Sequence, residues 1–183
     1  MRRVAVIGCG GAGKTTLARE LGRRLDLPVL HVDGHYWRGA GARRGDDWAE
    51  IHGQLIAGDR WILDGMKPGL LAERLERADT AVFLDLPRRT CLRGVVARRL
   101  KHLGRVRSDT GTYDRLERPF LHWIWRFGRD VRPAVDAALR SCECDVVVLR
   151  SRREVDRWVA SLPVAGVERT GAMLVPALAG THS

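Results

Sequence analysis

A chain of 183 residues with 45% hydrophobic content is long enough to fold as one domain with a sizeable core. It has no run near the roughly 20 apolar residues of a membrane span, and its four cysteines (Cys9, Cys91, Cys142, Cys144) are too few and scattered for a disulfide framework. The formal charge of +10 is concentrated between Arg88 and Arg129, where twelve Arg or Lys face only Asp109, Asp114 and Glu117, so that segment is expected to meet an anion, either a polyphosphate or a nucleic acid.

Along the chain, Arg2-Arg3 precedes four apolar residues, Val4–Ile7, too short a stretch for a signal peptide. A cytoplasmic location is therefore expected. Val4–Ile7 reads as the first of five buried strands, followed by Pro28–Val32, Trp61–Leu63, Ala81–Leu84 and Asp145–Leu149. Their near-continuous apolar character is that of a parallel sheet covered on both faces. Helical patterns lie between them. Thr15–Leu25 aligns Leu17, Leu21 and Leu25 on one stripe, and Asp47–Ile56 aligns Trp48, Ile51 and Leu55. Leu70–Glu76 reads as a short helix, Thr90–Leu103 as a longer one, Pro119–Leu139 as one or two, and Arg153–Leu162 as the last. Alternating strands and helices predict right-handed crossovers and a doubly wound α/β domain over 1–162. Residues 163–183, rich in Gly and poor in charge, are expected to form a mobile tail. Cys142-Glu143-Cys144 has no second Cys or His cluster to complete a zinc site.

Gly8-Cys9-Gly10-Gly11-Ala12-Gly13-Lys14-Thr15 matches the phosphate-binding pattern G-x-x-x-x-G-K-[ST] without a gap. This composition yields roughly 0.002 chance matches. A strand enters the motif and a helix leaves it, as a P-loop requires. Glycines allow backbone N–H groups to turn around a phosphate, and the helix that follows adds its own unsatisfied donors. Lys14 is one of only three lysines against 29 arginines. Its flexible point charge suits the β- and γ-phosphates, and Thr15 offers an oxygen to Mg²⁺. Thr16 completes the nucleotide-binding set. ATP and Mg²⁺ are the expected cofactors.

The surrounding motifs are His31-Val-Asp33-Gly-His-Tyr36-Trp37, Trp61-Ile-Leu-Asp64-Gly65, Arg74, Ala78-Asp79 through Asp85-Leu-Pro87-Arg88, and Arg98-Arg99. Their order resembles the adenylate-kinase-related P-loop family known as DNA topology modulation proteins, over about Met1 to Leu162. The resemblance implies a nucleoside-monophosphate-kinase-like fold with a five-stranded parallel sheet and a mobile basic lid at about 99–128. Two positions depart from that pattern. Met66-Lys67 stands where similar proteins have Asn-Tyr, and Gly94 where they have arginine, so substrate contacts at both points are expected to differ.

Asp64, at the end of the third strand, matches an Asp that similar kinases hold near Mg²⁺, often through water. Its carboxylate suits a hard cation, or alternatively caps the turn at Gly65. Asp33 ends the second strand, where it is either a general base for a hydroxyl acceptor or a turn cap. Tyr36 and Trp37 are candidates to wall the acceptor pocket or to pack in the core. His31 reads as a satisfied polar histidine. Arg74 matches an acceptor-side arginine of the family and Arg98 its lid arginine, placed to stabilise charge on a transferring phosphoryl group. Trp123, Trp125 and Phe127 are expected to pack the lid helix.

The leading expectation is an ATP-dependent phosphotransferase, with a nucleoside triphosphate and a small-molecule acceptor as partners and no membrane. The alternative is an ATP-switched regulator with nucleic acid as its partner. A GTPase is disfavoured, because no lysine follows an Asn in an Asn-Lys-x-Asp motif.

Overall fold

The computed structural model describes residues 1–32, 37–38, 42–43, 48–101 and 117–164. Five parallel strands form one sheet in the order β2-β5-β1-β6-β7: β1 (Arg3–Gly8), β2 (Val29–His31), β5 (Trp61–Asp64), β6 (Thr80–Leu84) and β7 (Asp145–Leu149). The strand centres are dry because helices cover both faces. Val4, Ala5, Val6, Ile7, Ile62, Leu63, Ala81 and Val82 are all fully buried. Each large side chain removed from water there contributes about 1.5–3 kcal/mol.

The helices are α1 (Lys14–Leu25), α2 (Trp48–Ile56), α3 (Leu71–Arg77, entered through a 3₁₀ turn at Pro68–Leu70), α4 (Arg88–Lys101), α5 (Arg118–Asp130), α6 (Arg132–Ser141) and α7 (Arg152–Ser161). The region expected to hold one or two helices contains two. Val131 ends α5 and precedes Pro133, which takes an opening position of α6, where its missing N–H costs nothing. Ser151 caps α7: Glu154 N donates to its Oγ at 3.2 Å, and the Glu154 carboxylate reaches back one residue further to accept from Arg150 N at 2.8 Å. β2 is shorter than expected. Among the described residues it is an edge strand paired only with β5, and their register ends at His31 opposite Asp64. An antiparallel pair, β3 (Trp37–Arg38) with β4 (Ala42–Arg43), was not anticipated.

Asp79 ties the sheet together at its amino end. Its Oδ2 accepts from the Arg2 and Arg3 amides at 2.7 and 2.9 Å. Its own amide donates to Arg3 O, and its carbonyl accepts from Asp145 N, both at 3.0 Å. The starts of β1, β6 and β7 therefore meet at one residue, and the opposite, carboxyl end of the sheet is where a doubly wound fold places its ligand.

Candidate active site

At the carboxyl end of β1 the chain turns through the glycine motif. Gly11 and Gly13 take φ of 77° and 97°, left-handed values that an L side chain adopts only with strain. Ala12 N and Lys14 Nζ both donate to Cys9 O, at 3.2 and 3.0 Å, so the lysine folds over its own loop. Gly13 caps α1 with no side-chain acceptor, and the first turn carries no acid. The opening amides and the positive end of the helix dipole are thus uncontested by any carboxylate of that turn, which makes an anion site.

Two helices hold this loop, α4 by backbone-to-backbone closeness and α5 through the Phe120 ring. A Cβ on Gly11 would lie 2.1 Å from Cys91 O of α4, and a Cβ on Gly94 would lie 2.2 Å from Gly11 O. On the other side, a Cβ on Gly10 would meet Phe120 Cζ of α5 at 2.7 Å. The glycine at 94 therefore has a steric reason independent of substrate. Arg98 follows Gly94 by four residues, on the same helical face that Gly94 turns to the loop. Arg152 Nη2 donates to Gly11 O at 3.4 Å from the start of α7.

Asp64 lies beside the loop because β5 runs in register with β1, Asp64 opposite Val6. Its side chain is nearly buried, and the His31 Nδ1–H donates to its Oδ1 at 2.7 Å. The next residue, Gly65, has φ 137°, and a Cβ there would strike Val32.

Arg74, expected as an acceptor-side contact, sits in α3 behind the turn that follows Asp64. It is fully buried, with Nη1 donating to Gly65 O at 2.9 Å and Nε to His52 Nε2 at 3.4 Å. The buried His52 in turn sets its Nδ1 3.3 Å from Glu73 Oε2. Burial, and then the Arg74 guanidinium, lower the His52 pKa below its ordinary value. A neutral ring protonated on Nδ1 satisfies both contacts. Arg74 is thus tied to the carbonyl of Gly65, the residue after Asp64, since a buried guanidinium needs such acceptors.

Sequence reasoning missed the links His31–Asp64 and Glu73–His52–Arg74, and also the ion pair that Asp85, just after β6, makes with Arg132 at 2.8 Å. Trp123 and Phe127 pack edge to face at 5.2 Å, as expected of a helix core. Trp125 differs: it is 52% exposed, with the Arg88 guanidinium 3.9 Å over its ring. Asp33 and Tyr36 lie outside the described residues, as do the Trp37 side chain, residues 102–116 of the expected lid at about 99–128, and residues 165–183 of the expected tail at 163–183. Among the described residues no helix is long and apolar enough to cross a membrane.

No family model matches the chain. Over 79 residues it is 38% identical to cytidylate kinase from Pyrobaculum neutrophilum, a match covering 43% of this chain and only 41% of that protein's length. The uncharacterized protein YqaC of Bacillus subtilis is 24% identical over 172 residues, 91% of this chain and 88% of YqaC. Among solved structures, shikimate kinase from Acinetobacter baumannii in complex with shikimate aligns with a TM-score of 0.61 at 15% identity, covering 87% of this chain and 89% of that one. With its five-stranded parallel sheet, flanking helices and glycine loop after β1, the chain has the α/β fold of the P-loop kinases.

Proposed function

We propose that this protein transfers a phosphoryl group from ATP to a small acceptor: a nucleoside, a nucleotide or another small molecule. The observation that carries this reading is the uncapped start of α1 with Lys14 folded over the loop, set beside the nearly buried Asp64. Loop amides from Gly8 to Thr16 and the Lys14 ammonium bind the phosphates, and the lysine stays with the charge as it develops on the γ-phosphoryl oxygens. Thr15 and Asp64 supply the oxygens a hard cation prefers, with Asp64 acting directly or through water. When bound, Mg²⁺ neutralises charge between the β- and γ-phosphates.

For a hydroxyl acceptor, Asp33 serves as the general base, and Tyr36 and Trp37 help bind the acceptor. Arg98 approaches from α4 to stabilise the transferring group. Arg74 acts through Gly65, holding the turn that aims Asp64. The relatives leave the acceptor open: one is named for cytidylate, and the structural neighbour holds shikimate, which offers hydroxyl groups.

The rival reading, an ATP-switched nucleic-acid regulator, rests on the basic 88–129 segment. Part of that charge is internally paired, since Arg126 and Arg129 both contact Asp130. The pairing favours the enzyme. The test is a screen of nucleosides, nucleoside monophosphates and small alcohols with ATP–Mg²⁺. Lys14→Ala should lower turnover of the accepted substrate by about 10²–10³-fold. A folded Lys14→Ala protein with unchanged turnover sinks the assignment.

A further inference from the structure

The charge at the start of α7 is electrostatically out of place. Arg152 and Arg153 are the first two residues of that helix, so two cations stand at the positive end of its dipole. Glu154 does not offset Arg152 by contact, because its carboxylate oxygens accept from Arg150 N and Ser151 Oγ. Among the described residues no carboxylate pairs with Arg152, and its hydrogen bond is the one to Gly11 O. The guanidinium also lies over Gly13, since a Cβ built on that glycine would strike Nη1. One exposed side chain of α7 thus spans the phosphate loop from Gly11 to the residue that caps α1.

Two cations therefore rest on carbonyls of the loop: Lys14 on Cys9 O at 3.0 Å and Arg152 on Gly11 O at 3.4 Å. A carbonyl carries only a partial charge. A phosphate oxygen is the stronger acceptor, and the planar fork of a guanidinium matches it. Packing gives no reason for the arginine to lie where it does, because Arg152 is exposed and α7 is capped without it.

We propose that Arg152 is a phosphate-binding residue of the site, giving up Gly11 O for an oxygen of the donor's α- or β-phosphate. The inference rests on the nucleotide-binding reading of the loop and deepens it. Lys14 and Arg98 serve the γ end of the triphosphate, where charge develops during transfer. Arg152 lies at the other end of the loop, where Gly13 passes into α1, and its contact is made to ATP and ADP alike. In exchanging acceptors the guanidinium forfeits one long hydrogen bond to a neutral oxygen. The bound phosphate then supplies the negative charge that the first turn of α7 lacks beside Arg152.

The test uses the full chain and calorimetric titration with ATP–Mg²⁺, ADP–Mg²⁺ and inorganic tripolyphosphate, alongside urea unfolding. Arg152→Ala should weaken all three by about 10–100-fold, the worth of a hydrogen bond to a charged group. Arg152→Lys keeps the charge without the fork and should recover part of the loss. Stability should hold or rise in Arg152→Ala, because a cation leaves the positive end of α7. Arg153→Ala, at the same helix end, should bind all three like the parent. Unchanged affinity in Arg152→Ala overturns the proposal. So does a loss for ATP that ADP or tripolyphosphate does not share, which marks a contact to the γ-phosphate or to the base. A loss of binding matched by a loss of stability also overturns it, and leaves Arg152 a brace for the loop through Gly11. Lys14→Ala tells this failure from that of the underlying reading: weakened ATP binding there, with Arg152→Ala unchanged, keeps the nucleotide site and removes only Arg152 from it. Parent protein that binds none of the three ligands removes the nucleotide-binding reading and the role of Arg152 together.

Discussion

Replacing Gly94 with alanine puts the contact between α4 and the phosphate loop to a direct test. The new Cβ would sit 2.2 Å from Gly11 O, whereas ordinary contact begins near 3.4 Å, so the two backbones must part by about 1.2 Å. The obstructing atom is a main-chain carbonyl, which no rotamer change can clear. Alanine also gains about 1 kcal/mol of helix propensity over glycine. Overpacking of this kind costs about 1–3 kcal/mol, so the net loss of stability is at most about 2 kcal/mol and the variant should fold. Function is more sensitive, because a 1 Å misplacement of a catalytic framework costs on the order of 10²-fold in rate. Calorimetric titration with ATP–Mg²⁺ should show at least tenfold weaker binding, with urea unfolding reporting the smaller stability change. Gly128→Ala is the matched control: nothing lies within 4 Å of its added Cβ. It should raise stability by about 0.5–1 kcal/mol and leave ATP binding alone. Wild-type ATP affinity in Gly94→Ala would refute the claim that this contact sets the loop.

Asp33→Asn separates the acceptor classes: with a hydroxyl acceptor kcat falls while ATP affinity is kept, and with a phosphate acceptor the loss appears mainly in acceptor binding. Wild-type kinetics would leave Asp33 a turn cap. Arg98→Ala should cost about 2–4 kcal/mol of transition-state stabilisation, and Arg115→Ala or Arg118→Ala should cost little. Equal losses across all three, with duplex DNA affinity falling steeply as salt rises, would favour the nucleic-acid reading instead. His52 is held neutral, its pKa depressed below the unfolded value of about 6.5. Its contribution to stability is therefore complete above that pH and is lost as pH falls through the folded pKa, with a slope of up to about 1.4 kcal/mol per unit. Urea unfolding between pH 7 and 5 should show a flatter dependence for His52→Gln than for the parent, and parallel curves would contradict a buried neutral ring.

The strands were legible because burial on both faces leaves a continuous apolar run, as in Val4–Ile7. The phosphate loop was legible because its chemistry is local, eight consecutive residues between a strand and a helix. His31 with Asp64 and His52 with Arg74 were not, since those contacts bridge 33 and 22 positions of sequence. Only strand register and helix docking create them, and neither leaves a periodic trace. Gly94 shows the same limit from the other side. Compared with similar sequences it reads as a missing arginine, yet its neighbour in space is Gly11, whose carbonyl leaves no room for a Cβ. Trp125 belongs to an aromatic cluster in sequence, but successive helical positions point in different directions, and its ring lies outside under Arg88.

The junction at Asp79 has a consequence for how such a protein can diversify. Three strands are fastened at the end of the sheet farthest from the phosphate loop, by amide and carboxylate bonds of 2.7–3.0 Å. Loops at the opposite rim can then change length and composition in descent without loosening that fastening. A lineage built this way can trade one acceptor for another while its fold stays put, so recognisable chemistry outlasts recognisable sequence.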